Sequence, residues 1–232
     1  MAPPHGSERF APQGLRRLTR ADVPAAVDVL VDAFHGDPLW NAVFADVPER
    51  AATFRSFSET PLRYSLRYGG VHANSEQLQG IVAWVPGERA DMSFWALVAS
   101  GAFGPMMRVG SRVGATLQHV FRPWSQARRR HMRGRRFIYV TVVGVAREHQ
   151  GRGIGGRLMR CIGEAGDRSG LPVYLETETE GNARFYERLG FRVLETMTLP
   201  KVDLPAWLMM REAGASPGLP THPRPHAGDR PG

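Results

Sequence analysis

Residues 139–158 constrain this chain more than any other stretch. From Tyr139 to Val145 the side chains are apolar on both faces apart from Thr141, as in a strand buried inside a sheet. A short polar turn follows, and then Gly151, Gly153, Gly155 and Gly156 fall within six residues. That loop opens directly into an apolar stripe at Ile154, Leu158, Cys161 or Ile162, and Ala165, which repeats at helical spacing. Glycines at this density weaken helix initiation, and they make sense where backbone must approach a ligand more closely than a Cβ allows. A helix start offers unpaired N–H groups at the positive end of the dipole, which suits phosphate oxygens. The unit therefore predicts a mixed α/β domain that binds a phosphorylated ligand.

Two ligands compete for the loop. Gly151-Arg152-Gly153-Ile154-Gly155-Gly156 satisfies the G-x-G-x-x-G dinucleotide pattern, and Glu176 lies about 20 residues further on at a strand end, as that fold requires. Against it, five residues separate Val145 from Gly151, whereas a dinucleotide loop turns at once after its strand. The unit also sits late in the chain, leaving too little sequence for a full doubly wound sheet. Gln150, Gly153 and Gly155 spell a different pattern, Gln-x-x-Gly-x-Gly.

These residues carry a resemblance. Val143-Gly144-Val145 with Gln150 to Gly155 resembles the acetyl-CoA pyrophosphate motif of the GNAT N-acetyltransferases. Asn182-Ala183-Arg184-Phe185-Tyr186-Glu187-Arg188-Leu189-Gly190-Phe191 resembles that family's other signature, in the right order. Over residues 137–211 the chain is similar to the puromycin N-acetyltransferase branch, with Leu175-Glu176-Thr177 and Trp207-Leu208-Met209 part of the match. The resemblance implies a GNAT-like fold: a central, largely antiparallel sheet with one splayed strand pair and flanking helices. It implies acetyl-CoA as cosubstrate, no metal, and transfer of an acetyl group to the primary amine of a small molecule by direct attack on the thioester.

The resemblance also distributes roles. Backbone amides of Gln150, Gly151, Arg152, Gly153, Ile154, Gly155 and Gly156 would hold the pyrophosphate, and Asn182 the pantetheine arm. Val143 and Val145 would pair with the pantetheine as an added strand would, with the Val145 N–H near the thioester oxygen. Tyr186 is the family's usual acid for the leaving thiolate; a core place beside Phe185 and Phe191 is the alternative. An N-cap is the alternative for Asn182. Glu176, Glu178 and Glu180 share one face if their strand continues, and repulsion in a cleft would raise a carboxylate toward the range of a useful base. Glu176 is the first choice, with a solvated strand end as its alternative. Trp40, Tyr64 and Trp84 are offered as acceptor-pocket residues, each with a core position as alternative, and Asp37 as a cation partner or turn residue.

Composition bounds the rest. The net charge is +8, yet Lys201 is the only lysine, and the concentrated block runs from Arg122 through Arg128, Arg129, Arg130, Arg133 and Arg135 to Arg136. Such a block is usually a solvated face, and only Trp124 is nearby for base stacking, so nucleic acid is not expected as a partner. A basic nucleic-acid-binding protein using Arg128–Arg136 stays as one rival, and a non-catalytic acyl-CoA-binding or regulatory module as another. The single Cys161 precludes an intrachain disulfide and fits a cytoplasmic setting. No membrane association is expected, and the assembly is read as monomer or homodimer. Residues 1–14 and the Pro/Gly-rich 212–232 are expected to be disordered around one domain, 15–211. Residues 90–136 have helical composition interrupted by glycines and match no assignable pattern.

Overall fold

The computed structural model describes residues 10–215. Seven strands form one sheet in the order β1-β2-β3-β4-β5-β7-β6: β1 (Arg16–Arg17), β2 (Gly70–Ala73), β3 (Gly80–Pro86), β4 (Ile138–Val145), β5 (Val173–Thr177), β6 (Arg192–Leu199) and β7 (Leu204–Arg211). Every neighbouring pair is antiparallel except β4 and β5. This mixed sheet is not the doubly wound parallel sheet that a dinucleotide fold needs, so the glycine loop stands in another frame.

Both sheet faces are covered, which is why β3 and β4 read as continuous apolar runs. On one face, Val82, Ile138, Val140, Leu175 and Met209 pack against α7 (Ile154–Ser169) and α8 (Glu180–Glu187). On the other face, Val71, Ala73, Ile81 and Ala83 pack under α1 (Val23–Ala33) and α3 (Arg50–Tyr68). Tyr139, Tyr174, Leu208 and Met210 on that same face meet α2 (Pro38–Val43), α4 (Phe94–Ser100), α5 (Phe103–Val109) and α6 (Ser111–His131).

The illegible stretch 90–136 is thus three helices. Gly101 (φ 77°) and Gly110 (φ 82°) end α4 and α5 in backbone conformations that glycine takes without strain. In α6 the buried residues Val113, Leu117, Val120, Trp124 and Ala127 recur every three or four positions, so a helical stripe was present despite Gly114 and Pro123. The expected disordered segments fall partly outside the described residues, at 1–9 and 216–232. Within residues 10–14, Phe10 is buried and packs edge-on against Trp84.

Two irregularities open the centre of the sheet. β4 and β5 share only the pairs Ile138↔Val173 and Tyr139↔Tyr174, and beyond them the strands run on without pairing. In the β3–β4 register Ala83 opposes Val142 while Trp84 opposes Val140, which leaves Thr141 as a bulge. A bulge of this kind bends its strand and raises the local twist. Thr141 Oγ1 hydrogen-bonds Ser65 Oγ of α3 at 3.1 Å, which ties the bend to the helix behind it.

Candidate active site in the strand splay

The β3 register fixes which way β4 offers its backbone. Ala146 N–H donates to Gln79 C=O at 2.9 Å, so Ala146 belongs to a hydrogen-bonded pair with β3. Antiparallel pairing alternates, so Val145 and Val143 turn their N–H and C=O groups away from β3, into the splay. Gln150 Nε2 donates to Val145 C=O at 2.9 Å, which folds the glycine loop back over the strand end. Gly144 has its own reason: a Cβ there would sit 2.9 Å from Leu30 Cδ2 and 3.2 Å from Ala33 Cβ, so its absence lets α1 lie close to β4.

The loop then rises to α7 through a 3-10 turn, Arg147–His149. Arg147 donates its backbone N–H and its Nε to the two oxygens of Asp32 in α1, and these bonds hold the Asp32 carboxyl below its ordinary range. Gly151 (φ 74°) and Gly153 (φ 79°) both adopt the left-handed region, and no atom crowds the Cβ position of either. Their requirement is therefore conformational. Gly153 is the N-cap of α7 and supplies no side chain, so the first amides of that helix lack a side-chain partner.

Across the gap, Thr179 caps α8 by accepting the Asn182 N–H at 3.2 Å. Asn182 is consequently the third helical residue rather than the N-cap, and its side chain is exposed. Tyr186 lies in the last turn of α8 rather than at the helix start, 6% exposed, between the rings of Phe185 and Phe191. Its hydroxyl makes no hydrogen bond among the described residues. Burial, with the Glu178 charge nearby, pushes the phenol well above its usual range.

The three glutamates separate. β5 ends at Thr177, so Glu176, Glu178 and Glu180 do not share a strand face, and Glu180 pairs with Arg184 on the outside of α8. Glu176 is held by Arg128 of α6, Nη1 to Oε1 at 2.7 Å, with side chains 7% and 2% exposed. Arg128 also reaches Asp91 at 2.8 Å and lies over the Tyr139 ring at 4.4 Å. Burial raises the Glu176 pKa and Arg128 pulls it back. The carboxylate enclosed in this way joins α6 to β5, so the solvated strand end that was the alternative for Glu176 does not hold. Glu178 instead faces Asp37, the N-cap of α2, which accepts the Trp40 N–H at 3.0 Å.

Other expectations change as well. Tyr64 is fully buried with its hydroxyl donating to Arg89 C=O, and Trp84 is 2% exposed against Phe10, so both are core and not pocket. Trp40 stays partly exposed, beside Phe44, Phe54, Phe57 and Phe121. The arginine block is not simply a solvated face. Arg128 is buried, Arg129 pairs with Asp91, Arg130 with Glu195 and Arg135 with Glu212; Arg122, Arg133 and Arg136 make no ion pair among the described residues. Cys161 is partly buried, and burial raises its thiol above the ordinary range, which fits packing rather than nucleophilic work. No helix among the described residues is long and apolar enough to cross a membrane, and no group of three metal-ligating side chains occurs among them.

Comparison with known proteins meets this geometry. Residues 119–193 match the model of the acetyltransferase (GNAT) domain. The chain is 25% identical over 206 residues to an uncharacterized N-acetyltransferase of Schizosaccharomyces pombe, covering 85% of this chain and 82% of that one. A solved structure from Corynebacterium glutamicum, described as histone acetyltransferase HPA2 and related acetyltransferase, is 24% identical with a TM-score of 0.57, over 90% of this chain and all of that one. A polyamine N-acetyltransferase of Drosophila melanogaster is 18% identical with a TM-score of 0.59, over 85% and 98% of the two chains. At these identities the solved structures speak for the fold.

Proposed function

Starting from a chain that carries an acetyltransferase (GNAT) domain, we propose that it moves an acetyl group from acetyl-CoA to the primary amine of a small molecule. The observation that carries this reading is the unpaired edge of β4. Val143 and Val145 offer main-chain groups to the splay, and that edge leads straight to the uncapped start of α7. An extended amide chain with a pyrophosphate at one end complements such a track: strand-like pairing for the arm and helix amides for the phosphates. Arg152, exposed in the same loop, adds a positive charge for the phosphates.

The acceptor nitrogen attacks the thioester carbonyl carbon, and the C–N bond forms as the carbonyl oxygen takes up charge. The Val145 N–H, aimed into the splay, is the donor in reach of that oxygen. The adduct nitrogen gives a proton to water, the C–S bond breaks, and Tyr186 supplies a proton to the leaving sulfur and regains one from solvent. A phenol held above its usual range carries its proton at neutral pH, as an acid must. Trp40 is the remaining aromatic candidate for the acceptor side, since it lies one turn from Asp37 and keeps some exposure.

Titration calorimetry with acetyl-CoA and a thiol-release assay over an amine panel test this reading. Saturable acetyl-CoA binding with turnover on at least one primary amine supports it. Absence of acetyl-CoA binding overturns it.

A further inference from the structure

Partway along β4 the set of residues bonded to β3 changes, and two contacts from α3 sit at the change. Near the start of the strand, Gly87 N–H donates to Phe137 C=O at 2.8 Å; past its end, Ala146 N–H donates to Gln79 C=O at 2.9 Å. Antiparallel bonding alternates, so an unbroken ladder from Phe137 would take in Tyr139, Thr141, Val143 and Val145 in turn. Ala146 belongs to the other set. The extra residue is Thr141, and it moves Val143 and Val145 out of the set bonded to β3 and into the splay. Packing follows the same switch. Ile138, Val140, Val143 and Val145 share the α7 face, whereas Thr141 and Val142 both turn toward the layer of α1 and α3.

Helix α3 holds this point from both strands. On the β4 side, Ser65 Oγ lies 3.1 Å from Thr141 Oγ1, and Ser65 is fully buried, so its hydroxyl is closed off from bulk solvent. On the β3 side, one turn further on, a Cβ at Gly69 would stand 2.0 Å from the Trp84 carbonyl oxygen, so glycine lets the helix end rest on that strand. Ala83 and Trp84 are the β3 residues that flank the slip. Gly69 N–H donates to Ser65 C=O at 2.8 Å, which joins the two contacts in one helical turn.

We infer that Ser65 and Gly69 are positioning residues for the acyl-carrying arm of the cosubstrate: by pinning the bulge at Thr141, they decide which main-chain groups of β4 meet that arm. The inference rests on the acetyl-transfer reading for its ligand and adds the residues that set the docking edge. Ser65 acts through Thr141, and Gly69 through Trp84. The bulge has a competitor, the regular ladder, in which Val143 and Val145 pair with β3 instead. Loss of the bond between Ser65 and Thr141 leaves a buried hydroxyl unsatisfied on the bulged side and shifts weight toward that ladder. The glycine loop keeps its own conformation, because the positive φ of Gly151 and Gly153 is a local property.

The two halves of CoA separate this role from general stability. Calorimetry with acetyl-CoA reads arm and phosphates together, and 3′-phospho-ADP, which lacks the arm, reads the phosphates alone. Thr141→Val keeps the shape and removes one hydroxyl; Ser65→Ala removes the other. Each is expected to weaken acetyl-CoA binding about tenfold and 3′-phospho-ADP binding by less than about twofold. Thr141→Ser, which restores a hydroxyl, is expected to bind both ligands as the wild type does. Acetyl-CoA affinity unchanged in both variants overturns the inference, and so does an equal loss on the two ligands, which a merely structural role would give. Failure of the wild type to bind acetyl-CoA, read before any variant, overturns the acetyl-transfer reading itself.

Discussion

Glu176 and Glu178 stand two residues apart and meet opposite electrostatic surroundings. Burial raises both carboxyls. At Glu176 the guanidinium of Arg128 opposes that rise, and the ion pair is sealed between α6 and β5. At Glu178 the neighbour is another carboxyl, Asp37, which adds to the rise. One glutamate therefore meets a cation inside the protein, and the other meets a like group. Charge type in this chain says little about role until the opposing element is known.

The largest expected effect tests the sealed side. Arg128→Met leaves Glu176 and Asp91 without their shared cation, and removing one partner of a buried pair costs about 3–5 kcal/mol, read from the urea midpoint. A loss below about 1 kcal/mol would mean that this brace is solvated and that the contrast with Glu178 is false. Tyr186→Phe is expected to lower kcat about 100-fold while leaving acetyl-CoA affinity in calorimetry unchanged, as removal of a general acid does. An unchanged kcat would leave Tyr186 as a packing residue between Phe185 and Phe191.

Smaller effects sharpen the comparison. Gly153→Ala forces a side chain into φ 79°, and a strain of about 1–2 kcal/mol should weaken acetyl-CoA binding roughly tenfold. Glu176→Gln removes the charge and keeps the shape; if the buried pair with Arg128 is structural, turnover stays within about threefold of wild type while the urea midpoint falls. The pH dependence of stability separates the pair further. A carboxyl raised in the folded state contributes stability below its unfolded pKa and loses it as pH rises through the folded value. The melting temperature of Glu178→Gln should therefore gain on wild type as the pH is raised above the ordinary carboxyl range. A gap that stays constant over that window would remove the electrostatic distinction.

The glycine loop was legible because its causes are local. Buried strand, polar turn, positive-φ glycines and helix start are short-range requirements, and Gln150, Gly151 and Gly153 satisfy them within their own segment. The strand ending at Val145 and the helix that starts at Ile154 were likewise readable from their apolar patterns. The stripe of α6 was readable in principle, but Gly114, Pro123 and six arginines between Arg122 and Arg135 obscured it. Tyr64 and Trp84 were misplaced because an aromatic has the same sequence signature whether it fills a core or lines a pocket.

By itself, then, the sequence determined a mixed α/β domain with a glycine loop leading from its central strand into a helix. Only the tertiary structure decided which carboxylate meets a cation and which meets another carboxylate. Arg128 lies 48 residues before Glu176, and Asp37 lies far earlier than Glu178. A buried group's proton affinity is set by neighbours a few ångströms away, and those neighbours are chosen by the packing of whole helices on the sheet. No local pattern around residues 176–178 carries that information.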